Sequence, residues 1–464
     1  MENNFKKVFV VSVILLINAI TVFSQLPNQN TTLLAQKDDH GNGYSALWGY
    51  AGPNGREYAI LGCNTGTAFY DITDTANIYE VDFVTGVTSG WREMKVFSSY
   101  AYVVSEGTNS RLQIIALQYL PDSVSLVATY SYTGYTKTHS ISQSGPYLYL
   151  HGGNVTQGGT DPGGVTILDI TNPTAPVKRG SWSNFYVHDS RILNDTIYAC
   201  NIYDPPGTVS VINAANKDNL TTIASWVNNP NPFPHNCAIP NDRRFIYTTD
   251  ETSSPNGKLK VWNKSNLNNV TLVTTWQPTN ITTAIVHNVE IYNNLAVIAH
   301  YTAGIRILNI TNPQTPTEIA WYDTYPQNNN SQFAGCWGVF MFPSSGKIIG
   351  SDMSGGLFVI KLGSPVTAIT GNQSIPAEYS LSQNYPNPFN PSTTIEYNVP
   401  KSSYVTLKVF DVLGRQVALL ADEFKIAGSY KQTFDAGRLA SGIYYYTIAT
   451  DNGFTETKKM ILNK

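Results

Sequence analysis

Six of the seven histidines in this chain fall at positions that repeat. His139, His188, His235 and His287 each open a short apolar run, and His151 and His300 each close one. Imidazoles can ligate a transition metal, move protons or anchor a buried hydrogen bond. Local spacing selects none of these, because the sequence holds no HxxxH and no CxxC pair. Any chemistry must come from convergence of distant segments, so the elements that carry the histidines decide the question.

Those elements form a repeat. "HSISQSGPYLYLHGGN" leads to "GVTILDITNPTAPVKRGSW", "HDSRILNDTIYACNIY" to "TVSVINAANKDNLTTIASW", and "HNCAIPNDRRFIYTTDET" to "KLKVWNKSNLNNVTLVTTW". His287 opens a fourth copy, and Trp48, Trp91 and Trp337 open three more. The seven copies start about 43 to 52 residues apart, and each holds four short β-type runs, here a to d, split by Gly, Asn, Pro and Asp. Four strands at that period mark a β-propeller blade. The expected fold class is all-β, a seven-bladed β-propeller over residues 25–362. The seventh copy lacks a d-run, while "NTTLLAQKDD", Asn30 to Asp39, matches the d-runs of other copies. The N-terminal segment should therefore supply the outer strand of the last blade and cover an open edge.

In a propeller blade a and b run antiparallel, so the start of a and the end of b meet on one face. That face should gather His139, His188, His235 and His287 at the channel as candidate ligands of a divalent metal. His151, His300, Glu106, Asp250 and Asp352 are candidate ligand-binding residues around them, beside Asn64 and Asn201. The competing reading is architectural: each histidine bonds to the neighbouring blade's backbone and fixes the blade angle, since buried polar groups find partners. Asp250 and Glu251 in "TTDETSS" read as a solvated acidic pair in a b–c loop, with weak calcium binding as the alternative. The prolines of "NPNPFPHN" stiffen the approach to His235.

Only 13% of residues are charged, the formal net charge is −3, and no Lys/Arg cluster occurs, which argues against a nucleic-acid partner. "GTNSR" and "SSGK" lack P-loop spacing, and no GxSxG is present. The opening "MENNFKKVFVVSVILLINAITVFSQ" has a basic start, a short apolar core and small residues before Gln25. It reads as a signal peptide, residues 1–24, too short to span a bilayer. No later segment reaches transmembrane length. Export permits disulfides, and Cys200–Cys237 and Cys63–Cys336 are the pairs that the ring would bring near, although a domain this large does not need them.

After Leu362 the texture changes. Residues 363–378 are small, polar and Pro-containing, a linker. Residues 379–464 show about seven short strands with turn punctuation, which fits a small β-sandwich, here expected to be Ig-like.

The junctions "ILDITNPTAP" and "ILNITNPQTP" resemble the LVIVD repeat. With "WREMKVFSSYAYVVSEG", "HYTAGIRILNIT" and "WGVFMFPSSGKIIGSDMSGGLFVI", residues 33–362 resemble the choice-of-anchor B family. That likeness implies an exported propeller domain and no particular reaction. "YPNPFNPSTTIEY", "VFDVLGRQV" and "LASGIYYYTI" resemble the type A C-terminal sorting domain of the type IX secretion system. This second likeness implies passage to the outer surface or medium, with the secretion machinery and its sortase as partners. Two functions stay open: a non-enzymatic binding protein for an extracellular protein or glycan, and a metal-dependent enzyme using the histidine-rich mouth.

Overall fold

The computed structural model describes residues 28–41, 43–153, 163–253, 257–363, 376, 378–400, 403–425, 428–437, 439–450 and 453–464. The expected signal peptide lies outside the described residues, as do 364–375 and 377 of the expected linker.

Among the described residues every regular element is a strand. The described residues between 28 and 363 form seven antiparallel sheets, six built on four consecutive strands a to d and the last on three consecutive strands plus one from the N-terminal segment. The a-strands are Leu47–Ala51, Arg92–Phe97, Ser140–Ser144, Asp189–Leu193, Pro234–Ala238, Val289–Tyr292 and Cys336–Met341. Each touches the next, and the seventh touches the first, so the sheets close into a propeller-like ring.

The burial pattern explains the sequence pattern. Strands b and c are packed on both faces by neighbouring sheets, so Glu57–Cys63 and Leu112–Ala116 are buried throughout. Such strands read as unbroken apolar runs. Outer d-strands such as Val177–Trp182 are largely open to solvent and read as mixed. The Asp or Asn that ends strand c then makes the turn. Side chains of Asp71, Asp169, Asn213, Asn263 and Asn309 each accept the N–H two residues on, at 2.9–3.0 Å. This Asx turn is why "D/N-x-T/A/S" recurs at the junction.

Thr31–Lys37 pairs antiparallel with Gly356–Leu362, with Thr31 opposite Leu362 and Lys37 opposite Leu357. The N-terminal strand is thus the outer strand of the last sheet, as the repeat phase requires. One contact was not legible: Asn28–Gln29 adds a fifth strand to the sixth sheet, against Trp321 and Tyr322. The two sheets are stitched there by Thr31 Oγ1 to the Trp321 carbonyl at 2.7 Å and Trp321 Nε1 to Gln29 Oε1 at 3.0 Å. The four cysteines are buried free thiols.

The C-terminal residues form a three-stranded and a four-stranded sheet. The two share one core that includes Leu381, Ile395, Tyr397, Val405, Leu407, Tyr446, Ile448 and Met460.

Candidate functional site

The a-strand starts bring the histidines into a file along one mouth of the ring. Successive ring centroids lie 4.1 Å apart for His139–His188, 4.1 Å for His188–His235 and 4.3 Å for His235–His287. Trp337 continues the file 5.0 Å from His287, and Trp91 stands 6.3 Å from Trp337. Tryptophan and histidine therefore occupy equivalent places, as the repeat alignment indicates.

The four histidines differ in their partners. His139 Nδ1 pairs with Glu106 Oε1 at 2.9 Å. Gly152 makes room for it: its φ is +63°, and a Cβ there would meet His139 Cβ and Tyr186 Oη at 2.7 Å. Burial opposes ionisation of Glu106, yet the hydrogen bond and charge of His139 and the charge of Lys137 hold its carboxyl below the usual range. His287 Nδ1 donates to the Trp337 carbonyl on the next sheet. That is the architectural role, and it leaves Nε2 as the free lone pair of a neutral ring. The rings of His188 and His235 lie against the backbone of His235 and His287 in turn, yet the Nδ1 of each has no well-formed hydrogen bond among the described residues.

His188 and His235 instead meet Glu251. One ligand atom from each of the three lies within 4.8 Å of the others. Glu251 Oε2 is 3.5 Å from His235 Nε2, and Oε1 is 3.6 Å from His287 Nε2. The Tyr301 hydroxyl donates to Oε1 at 2.5 Å. The expected four-histidine set therefore divides. Only His188 and His235 join a common group, and its third member is a carboxylate. Glu251 is not a solvated loop acid, because its side chain is only 15% exposed. Burial lifts its carboxyl to about 7 and holds the rings of His188 and His235 well below the usual imidazole value and that of His287 at about 3.

Three of the outer candidates, His151, Asp250 and Asp352, are engaged within the fold. His151 is fully buried between the hydroxyls of Ser140, at 3.0 Å, and Ser190, at 2.8 Å. Asp250 binds Lys260 at 2.6 Å and Asn228 at 2.6 Å. Asp352 accepts from Thr324, Ser354 and Gly355 and fixes the turn after its strand. His300 is 1% exposed, and neither ring nitrogen has a partner among the described residues.

Sequence reasoning missed the layer beneath. Glu93 pairs with Lys95 at 2.8 Å, and Arg191 with Glu290 at 2.9 Å. Asn236 donates to Asp189 at 2.5 Å. The signal was present, since "REMK" and "DSR" alternate charges along a-strands whose other neighbours are apolar. The cavity bounded by Trp91, Glu93, His139, His188, His235 and His287 has room for about one water-sized particle.

Residues 136–183 and 285–324 match the LVIVD repeat. Residues 383–463 match the secretion system C-terminal sorting domain. The chain is therefore an exported protein built on β-propeller-type repeats. Its sorting domain engages the type IX secretion machinery and directs it to the cell surface or the extracellular space. No helix among the described residues is long and apolar enough to cross a membrane. No curated protein matches the chain. Among solved structures, a proposed 6-phosphogluconolactonase from Bacteroides fragilis aligns at a TM-score of 0.48 and 12% identity, over 72% of this chain and 98% of that one. The computationally designed protein Ika8 aligns at 0.45 and 8% identity, over 71% and 99%. Likenesses this distant carry no argument about chemistry.

Proposed function

We propose that the chain is a non-enzymatic binding protein of the choice-of-anchor B type. In this reading a seven-bladed propeller is followed by an Ig-like sorting sandwich, and an extracellular glycan docks on the histidine-side mouth. One observation carries it: the mouth is rimmed by exposed aromatic rings. Trp91 is 47% exposed, Tyr203 63% and Phe333 54%. Ring contacts tie them to the site, Tyr203 through Tyr186 to His188 and Phe333 through Tyr301 to His287. Large exposed aromatics clustered on one face mark an interaction surface. Rings of this kind cover the apolar face of a sugar, while the adjacent carboxylates and imidazoles can bond its hydroxyls. The small cavity argues for docking across the rim rather than enclosure of an organic substrate.

Binding of the mature protein to immobilised polysaccharides and to extracellular proteins of its host tests this. A glycan ligand whose affinity falls about tenfold or more in Trp91→Ala and Tyr203→Ala supports it. A ligand that is a protein, or binding indifferent to both changes, overturns it. The second reading, a metal-dependent enzyme, is favoured by the convergence of His188, His235 and Glu251. Turnover of a bound ligand that stops on chelation would establish that reading instead.

A further inference from the structure

Glu251 is a buried carboxyl set between two imidazoles, with Oε2 3.5 Å from His235 Nε2 and Oε1 3.6 Å from His287 Nε2. Because His287 Nδ1 donates to the Trp337 carbonyl, its Nε2 presents a lone pair to Glu251 Oε1 at 3.6 Å. Two acceptors facing each other in a dry site need a proton or a cation between them. Beside them, His188 and His235 each keep a buried Nδ1 without a well-formed hydrogen bond among the described residues. Two imidazoles, a buried carboxyl and room for a water-sized particle occur at one place.

We infer that His188, His235 and Glu251 form a binding site for one divalent transition-metal ion at the mouth of the ring. Two imidazoles and a carboxylate suit zinc, iron(II) or cobalt(II), and three protein ligands leave a position for water or an exogenous donor. Their ligand atoms lie within 4.8 Å of one another. Tyr301, which donates to Glu251 Oε1 at 2.5 Å, is a positioning residue that would orient the carboxylate. His287 Nε2 stands beside the group and can approach as a further ligand. The inference does not rest on the glycan reading, because the rim aromatics are not ligands.

The test uses the mature protein, stripped by chelator and dialysed, then titrated with cobalt(II) and zinc. Expected are one equivalent bound, visible cobalt(II) bands of a site with few ligands, and a melting temperature raised by metal. Glu251→Gln and His235→Ala should each weaken binding more than about 100-fold, and Tyr301→Phe by about 10- to 100-fold. His151→Gln, outside the site, should bind as the wild type does. If His235→Ala fails to fold, Glu251→Gln, nearly isosteric, decides. Failure to bind a stoichiometric ion overturns the inference, as does binding that Glu251→Gln leaves unchanged. Tyr203→Ala, which does not line the cavity, should retain full metal affinity, so a failed metal site and a failed glycan surface are distinguishable.

Discussion

Arg191 and Glu290 join across the ring: Arg191 Nη2 lies 2.9 Å from Glu290 Oε1, although their strands belong to the fourth and sixth sheets. Arg191 Nε also donates to the Cys237 carbonyl on the fifth sheet at 3.2 Å. One guanidinium therefore ties three sheets together below the histidine file. Both side chains are less than a third exposed, at 27% and 16%. Removing one partner strands the other charge in a poorly solvated place. Arg191→Met should cost roughly 2–3 kcal/mol, while Arg191→Met combined with Glu290→Leu should cost less than either of those changes alone. Denaturant midpoints of the four proteins check this. Additive losses would mean that the pair is not coupled.

The N-terminal strand should be needed for the ring. Thr31–Lys37 supplies the outer edge of the last sheet, and Asn28–Gln29 grips the one before it. A chain lacking residues 28–37 exposes the ladder edge of Gly356–Leu362. It should aggregate or melt well below the full protein. Equal melting temperatures would show that closure does not depend on this segment.

Much of this was legible because a repeat reports its own geometry. Once period and phase were read, the a-strand starts, the b-strand ends and the N-terminal closing strand followed, and each is found where expected. What the repeat could not report is rotation of a single side chain. Asp250 and Glu251 are adjacent in sequence, yet Asp250 binds Lys260 and Asn228 while Glu251 joins His188, His235 and Tyr301. Asp250 ends its strand and Glu251 is the first residue beyond it, and only inter-sheet packing says which of them reaches the imidazoles. The division of the four histidines has the same origin. A carbonyl on the next sheet takes His287, and a carboxylate takes His139.

The sorting module should be separable. Its described core draws only on residues from Leu381 to Leu462, with none from the ring. Mature protein from the native host should lack roughly residues 379–464, and the ring should fold without them. Intact mass of the exported protein, with a melt of the shortened chain, reads both parts. Retention of the module, or failure of the shortened chain to melt cooperatively, would count against them.

Acid should destabilise the ring through its histidines. Burial holds His151, His287 and His300 at about 3, and His188 and His235 well below 6.5. In the unfolded chain these groups take up protons near pH 6.5. Their contribution to stability is therefore complete above about pH 6.5. It is lost progressively as pH falls below that value, because the unfolded chain then binds more protons than the folded one. Glu251 and Asp250 act in the opposite sense, because burial raises both carboxyls to about 7 and the folded state then binds protons before the unfolded state does. Glu93, Glu318 and Asp323, also raised by burial, act with them, while the lowered carboxyls of Asp71, Glu106, Asp169 and Asp242 act with the five imidazoles, so the melting temperature of metal-free protein should fall from pH 7.5 to 4.5. His151→Gln, which can still reach the Ser140 and Ser190 hydroxyls, should melt lower than wild type at pH 7.5 and lose less on acidification. Parallel pH profiles for the two proteins would show that His151 is not one of the groups responsible.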